Sequence, residues 1–348
     1  MISKKQKPPA SLSLDLDNKW AYLKTHGDAS WAKFPGYFDV VVPRFLEFLR
    51  ERSIKATVFV VGQDAVLDRN KEPLAWIADA GHEIGNHSFH HEPWLHLYTP
   101  EELSEDFARS EEAIYEATGQ QTKGFRGPGF SLSDQVLETL IQRGYQYDAS
   151  TFPTFLGPVA RAYYFMTSKL SKAQKQERKA LFGSVRDGFQ SNKPYFWTSG
   201  TGRLLEIPVT TMPVFKVPIH ASYLLYLGKY SRRLAITYYW QALLLCRLTG
   251  VRPSLLLHPL DFLGEEDDAE LSFFPAMDQP AERKIELLSE ILRMLMKDYE
   301  VVTMHEHARI ISQSSHARPS RLVSTATPGV QQAGKLAGAN CPVDSLGP

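Results

Sequence analysis

The sequence predicts an α/β protein of parallel strands joined by crossover helices, either a closed barrel or an open doubly wound sheet. Three observations lead there. Apolar runs rich in β-branched residues alternate about eight times with segments of helical period. Prolines stand where the helices should begin, and glycines where they should stop. Polar residues gather at or just past the C-terminal ends of the strand runs, the face on which a barrel assembles its chemistry.

The expected strands are residues 11–16, 56–61, 82–86, 124–126, 146–148, 204–209, 254–258 and 299–303. The expected helices are 43–52, 73–80, 100–118, 133–143, 230–248 and 280–297. Pro43, Pro73, Pro100 and Pro280 suit first-turn positions, where a missing N–H is harmless, and Gly81, Gly119, Gly144 and Gly250 fall at the stops. Asp15, Asp17, His87, Arg126, Asp148 and His258 all lie at strand ends.

Two stretches break the alternation. Residues 152–193 lack strand periodicity and carry a lysine-rich run at 169–179, so an insertion of about 152–200 is expected over the active face. From 313 to 348 the composition turns to Ser, Thr, Ala, Gly and Pro, which predicts a disordered tail. Residues 1–10 are basic and read as a flexible start, which leaves 11–312 as the catalytic body.

Composition excludes several functions. Lys+Arg and Asp+Glu cancel at 39 each, so no global field draws the chain to nucleic acid. Cys246 and Cys341 match no zinc or redox spacing and read as free thiols. No apolar h-region follows the N-terminus, and the longest uncharged apolar run, 234–246, is too short to span a bilayer. A soluble cytoplasmic protein is expected. Residues 221–248, rich in Tyr, Leu and Trp beside Lys229, Arg232, Arg233 and Arg247, allow peripheral contact with the inner membrane face. The preferred reading of that segment is a barrel helix with one buried face.

The chemistry rests on two clusters. His87 and His91 stand four apart; on a helical turn both imidazoles would share one face and could grip one metal ion. His90 should point elsewhere, His82 should be structural, and His305 and His307 should lie on the surface. Asp15 and Asp17 close an apolar strand, a costly place for carboxylates unless they are paired or bound to metal. Joined to the histidines they complete a His-His-Asp site that suits Zn²⁺, with Co²⁺, Mn²⁺ or Fe²⁺ also admitted.

At this point Asp15-Leu16-Asp17, His87-Ser88-Phe89-His90-His91, Arg126-Gly127-Pro128-Gly129-Phe130 and Leu255-Leu256-Leu257-His258 can be taken together. Their order and spacing resemble the polysaccharide deacetylase superfamily (NodB homology, carbohydrate esterase family 4) from about residue 11 to 304. Each motif is weak alone; the ordered set is specific. The resemblance implies a distorted (β/α) barrel of about seven or eight parallel strands and metal-assisted amide hydrolysis. It implies that Asp17, His87 and His91 bind one divalent ion, with Asp15 as base and His258 as acid. Gly129 and Phe130 would meet the substrate, Gly129 through its N–H. Two departures stand out: Leu16 separates the aspartates, as in a branch containing lipid-linked aminoarabinose deformylases, and Glu92 intervenes before Pro93. The first leaves open which aspartate is the base, and admits Asn18 as a ligand.

Arg126 is expected to pair with Asp15 and fix its orientation; Asp148 would orient His258 or hold Arg126. An internal ion pair that merely ties strands together is the alternative for both. The expected activity is removal of an acyl group, most simply acetyl, from the nitrogen of an amino sugar, glycan or lipid-linked sugar. The competing readings are a deformylase, an amidase for a small non-sugar amide, and an inactive sugar-binding barrel. Tyr163, Tyr164, Phe165 and Trp197 near the insertion favour sugar.

Overall fold

A computed structural model describes residues 7–159, 162 and 185–313 and the backbone of 318–322. The lysine-rich run, Tyr163, Tyr164, Phe165 and Cys341 lie outside the described residues.

Ten strands form one curled sheet: β1 (Pro9–Asp15), β2 (Thr57–Val60), β3 (Glu83–Asn86), β4 (Gly124–Phe125), β5 (Tyr147–Asp148), β6 (Tyr195–Thr198), β7 (Arg203–Glu206), β8 (Ser254–Leu257), β9 (Glu300–Val302) and β10 (Arg318–Leu322). Their order is β10-β6-β7-β5-β4-β3-β2-β1-β8, with β9 also on β1. Every neighbouring pair is parallel except β6 with β7. The sheet is therefore the distorted barrel that the resemblance implies, one of the two architectures the alternation allowed. The sheet curls until the chain just beyond β7 meets the edge strand β8, where Thr210 donates its N–H to the Ser254 carbonyl at 3.1 Å.

Among the described residues ten helices surround or enter it: α1 (Lys19–His26), α2 (Phe38–Arg50), α3 (Gly62–Ala65), α4 (Asp68–Asp79), α5 (Pro100–Thr118), α6 (Asp134–Gln142), α7 (Ala221–Tyr230), α8 (Arg232–Thr249), α9 (Ala281–Asp298) and α10 (Met304–Gln313). Alternation along β1 divides the core. Leu12, Leu14 and Leu16 face the outer layer with Val41, Phe45, Leu288 and Ile291. Ser11, Ser13 and Asp15 face inward, where Ser13 and Asp15 meet Arg126. The interior is filled by α10, whose Met304, Ala308 and Ile311 pack on Phe59, Tyr147 and Leu205. Polar side chains of β2 and β3 receive its free first-turn N–H groups: Met304 N donates to Thr57 Oγ1 (2.7 Å) and His305 N to Glu83 Oε2 (2.9 Å).

Several expectations need correction. Pro43 and Pro73 sit inside α2 and α4, not in first turns. Pro43 faces solvent, where the Asp39 carbonyl it leaves free can be hydrated. The helix expected at 230–248 is α8, and a further helix, α7, precedes it across Ser231, whose hydroxyl caps α8 by accepting from Leu234 N. The first strand begins at Pro9, inside the stretch read as flexible, and β10 lies inside the expected tail; residues 1–6, 314–317 and 323–348 are outside the described residues. Within the expected insertion, β6 forms a hairpin with β7. His307 is not on the surface: it is fully buried, with Nδ1 3.0 Å from Ser11 Oγ, because α10 enters the barrel.

Candidate functional site

The C-terminal ends of β1, β3, β4 and β8 deliver the expected residues to one face. β1 stops at Asp15, and Asn18 starts α1 as its N-cap. Asn18 Oδ1 accepts from Lys19 N (2.9 Å) and Tyr37 N (3.1 Å), while Nδ2 donates to Asp64 Oδ1 (2.8 Å). Its amide is thus engaged in fixing the loop, which removes it as a ligand candidate. Tyr37 OH donates to the Asp17 carbonyl at 2.6 Å and anchors that residue.

His87 and His91 do come together, but not on a helical turn. β3 ends at Asn86, and the next residues form a loop in which Ser88 (φ 62°) and His91 (φ 53°) are left-handed. Buried side chains hold this costly path. Asn86 Oδ1 accepts from Ser88 N (2.9 Å) and Ser110 Oγ (2.7 Å), and Ser88 Oγ accepts from His91 N (3.1 Å). Asp106 Oδ1 accepts from Phe89 N at 2.9 Å. Burial pushes the Asp106 carboxyl up to about 6 despite that bond. Asp106 escapes sequence reading because it sits mid-helix on α5, far from the motif. His90 stays outside the ligand cluster. His82 is structural as expected, its Nδ1 accepting from Ala56 N at 3.2 Å, and burial pulls it down to about 4.

Asp17, His87 and His91 each offer a ligand atom, and these lie within 4.8 Å of one another. Asp17 Oδ1 is 3.3 Å from His87 Nε2 and 2.9 Å from His91 Nε2. The His87 tautomer decides what these contacts mean. Its Nδ1 lies 2.6 Å from the Arg126 carbonyl oxygen, which can only accept, so Nδ1 carries the proton. In the neutral ring Nε2 therefore presents a lone pair to a carboxylate oxygen, and Asp17 Oδ1 is buried without a hydrogen-bond donor. Such an arrangement is repulsive unless a cation lies between the groups, so this N₂O donor set fits a divalent metal ion. Burial pushes the Asp17 carboxyl up; with no ion between them, protonation of the facing imidazoles, His91 foremost, would outweigh burial and hold the group well below the usual carboxylate range.

Arg126 is fully buried and meets Asp15 as expected. Nη1 donates to Asp15 Oδ1 (2.6 Å) and Ser13 Oγ (2.9 Å), and Nε to the Ala149 carbonyl (3.0 Å). The guanidinium also lies 4.4 Å over the Phe59 ring.

Asp148 meets neither Arg126 nor His258. It accepts from Ser150 Oγ (2.6 Å) and Ser150 N (3.2 Å), and strand register sets it beside Glu206 of β7. Glu206 accepts from Trp197 Nε1 at 2.9 Å and Thr151 N at 3.1 Å. Burial, with Asp148 alongside, holds the Glu206 carboxyl far above its ordinary range. These two carboxyls tie β5 to β7, and Trp197 serves that pair.

Gly129 (φ 58°) and Phe130 (φ 62°) form a left-handed pair that exposes the rim of this face. A Cβ on Gly129 would lie 3.2 Å from Pro93 Cβ, two residues beyond His91. Phe130 stacks on Phe152 with centroids 4.9 Å apart at 26°, and Phe152 meets His220 edge-on at 5.8 Å. His258 follows β8, where the register Leu14↔Leu257 sets it next to Asp15 on the adjacent strand end. Its Nδ1 is 3.1 Å from Ser222 Oγ, and its backbone N–H donates to Asp261 Oδ2 at 2.8 Å. No spacing in the sequence points to His220 or Ser222, which arrive from the start of α7.

With this geometry established, comparison with known proteins locates the chain. Residues 28–147 match the polysaccharide deacetylase family. A peptidoglycan deacetylase of Helicobacter pylori is 29% identical over 143 residues, 39% of this chain and 47% of the relative. The peptidoglycan-N-acetylmuramic acid deacetylase PdaA of Bacillus subtilis is 32% identical over 112 residues, 32% of this chain and 41% of the relative. The chain thus spans less than half the length of these curated relatives. A crystal structure described as a polysaccharide deacetylase from Mycobacterium smegmatis superposes with a TM-score of 0.60 at 22% identity, covering 95% of this chain and 98% of that one, and shows a shared fold. No helix among the described residues is long and apolar enough to cross a membrane.

Proposed function

We propose, for a chain that belongs to the polysaccharide deacetylase superfamily, that it hydrolyses the N-acetyl amide of amino sugars in a glycan with the help of one divalent metal ion. The observation that carries this reading is the convergence of Asp17, His87 and His91, with the His87 Nε2 lone pair turned on a carboxylate oxygen that has no hydrogen-bond donor. The ion, when bound, supplies Lewis acidity and a water of lowered pKa; Zn²⁺ suits the donors, as Co²⁺, Mn²⁺ or Fe²⁺ would.

The chain's own residues divide the remaining work. Asp15, aimed by Arg126 and Ser13, takes the proton of the attacking water. The Gly129 N–H, set on the rim by its left-handed backbone, stabilises the charge developing on the amide oxygen. His258 protonates the departing amine, which leaves poorly as an anion. The stacked Phe130 and Phe152 offer an apolar face to a pyranose ring.

The test is acetate release from N-acetylglucosamine oligomers by protein stripped with a chelator and then reloaded with Zn²⁺. Turnover should appear only after reloading. Asp17→Ala and His87→Ala should lose both bound zinc and turnover. Zinc that stays bound in both variants would sink the proposed centre. Formate release from N-formyl sugars, with none of acetate, would move the activity to deformylation.

A further inference from the structure

We infer that Ser222 and Asp261 together orient His258, as a hydroxyl-bridged carboxylate in the place expected for Asp148. The inference rests on the reading of His258 as the acid. It begins from a vacancy in the expected scheme: Asp148 is committed to Ser150 and Glu206, so nothing from β5 reaches the His258 ring. An imidazole that delivers a proton from Nε2 needs its Nδ1 held by a second group, or the ring turns.

Ser222 Oγ, 3.1 Å from His258 Nδ1, is that group. The Asp261 carboxylate lies beside the same hydroxyl, and its Oδ2 accepts from the His258 backbone N–H at 2.8 Å. Asp261 therefore clamps the histidine at its main chain directly and at its ring through one hydroxyl. The turn carrying it is braced in turn, since buried Lys284 donates from Nζ to the Leu260 carbonyl at 2.7 Å.

A hydroxyl both donates and accepts, which suits a group that changes protonation. In the imidazolium, Nδ1–H donates to Ser222 Oγ and the Ser222 O–H donates to Asp261. When the Nε2–H bond breaks and an N–H bond forms on the departing amine, the ring returns to neutral with its proton on Nδ1. Both hydrogen bonds survive that step unchanged, so no reorganisation accompanies the transfer. Asp261, buried and negative, stabilises the imidazolium from one hydroxyl away. The other titratable groups that face this assembly are His220, whose ring is 6.1 Å from His258, Lys284 and Tyr22 beside Asp261, and Asp15 on the neighbouring strand end.

The experiment follows the His258 ring nitrogens by NMR across pH in the full zinc-loaded chain, with the resonances assigned from His258→Gln. In Ser222→Ala the titration midpoint should fall by roughly half a unit or more, and Ser222→Thr should restore it. Asp261→Asn should lower the midpoint as Ser222→Ala does. Turnover of N-acetylglucosamine oligomers should drop roughly tenfold in kcat in Ser222→Ala, with KM within about twofold. A His258 midpoint and tautomer unchanged in both Ser222→Ala and Asp261→Asn would overturn the assignment, whatever happens to rate. A wild-type protein that releases no acetate would defeat the proposed activity instead, and the titration would still decide the orientation.

Discussion

Replacing Arg126 by methionine tests the junction on which the proposed base depends. The guanidinium is wholly enclosed, and its removal strips partners from three acceptors: Asp15 Oδ1, Ser13 Oγ and the Ala149 carbonyl. Methionine approximates the volume and keeps contact with Phe59, so packing is a minor loss. The dominant cost is a buried carboxylate left without its cation, about 3–5 kcal/mol for a broken buried pair. At about 2 °C per kcal/mol for a chain of this size, Arg126→Met should melt roughly 8 °C lower. The carboxylate's charge causes most of that loss, so neutralising it should restore stability. Asp15→Asn in the Arg126→Met background is expected to recover about half, giving a coupling energy above about 1.5 kcal/mol in a double-mutant cycle. Arg126→Lys should fall between, since an ammonium cannot span Asp15 and the Ala149 carbonyl at once. Thermal unfolding of wild type, Arg126→Met, Asp15→Asn, the double variant and Arg126→Lys, with and without zinc, measures this. A double variant destabilised by the full sum of the single losses would show that the pair has no energetic coupling, and the account of Asp15 orientation would fail with it.

Three further outcomes follow from the same face and its support. Gly127→Ala places a Cβ about 2 Å from the Ser131 carbonyl oxygen, so it should lose more stability than Gly129→Ala, whose penalty is the left-handed backbone at about 1–2 kcal/mol; equal melting temperatures would contradict this. Phe130→Ala should raise KM for N-acetylglucosamine oligomers several-fold with kcat changed less; an unaltered KM would dismiss the stacking platform. His307 is buried beside Arg252, and burial first, then that charge, pulls it down to about 3 from an ordinary 6.5. The unfolded chain then binds the extra proton between those values, so native stability is full above pH 6.5 and declines toward pH 3, by up to about 1.4 kcal/mol per unit. His307→Gln should cost about 1 kcal/mol at pH 7, the worth of the Ser11 bond, yet unfold less steeply in urea titrations below pH 6; parallel acid profiles would refute this.

The expected parallel strands were most legible where an apolar run is bounded by turn residues, as in β1, β2 and β8, whose burial on both faces leaves little else such a run can do. The antiparallel β6 and the strand β10 were not. β6 reads as Tyr195-Phe196-Trp197-Thr198 inside a polar stretch, and only tertiary pairing with β7 makes it a strand. α10 was hidden for a different reason. Its buried face carries Met304, His307 and Ala308, a pattern too mixed to announce that the helix enters a barrel. Asp148 shows the limit of reasoning from strand ends: the position was right, but the side chain's partner depended on Glu206 one strand over, which no local pattern couples to it.

The histidine pair is the most instructive case, because the right residues were found through the wrong local conformation. A four-residue spacing suggests a helical turn, yet Ser88 and His91 adopt left-handed backbone that costs each about 1–2 kcal/mol. A helical turn would satisfy its N–H groups locally; this loop instead draws on Asn86, Asp106 and Ser110, the last two from α5. The loop thereby turns His87 so that its Nδ1 reaches the Arg126 carbonyl, which dictates the tautomer and frees Nε2 toward Asp17. Arg126 thus acts twice, aiming Asp15 with its side chain and His87 with its main chain. One residue at the end of β4 couples the orientation of the proposed base to that of a proposed metal ligand, and a substitution there that shifts the backbone would disturb both at once.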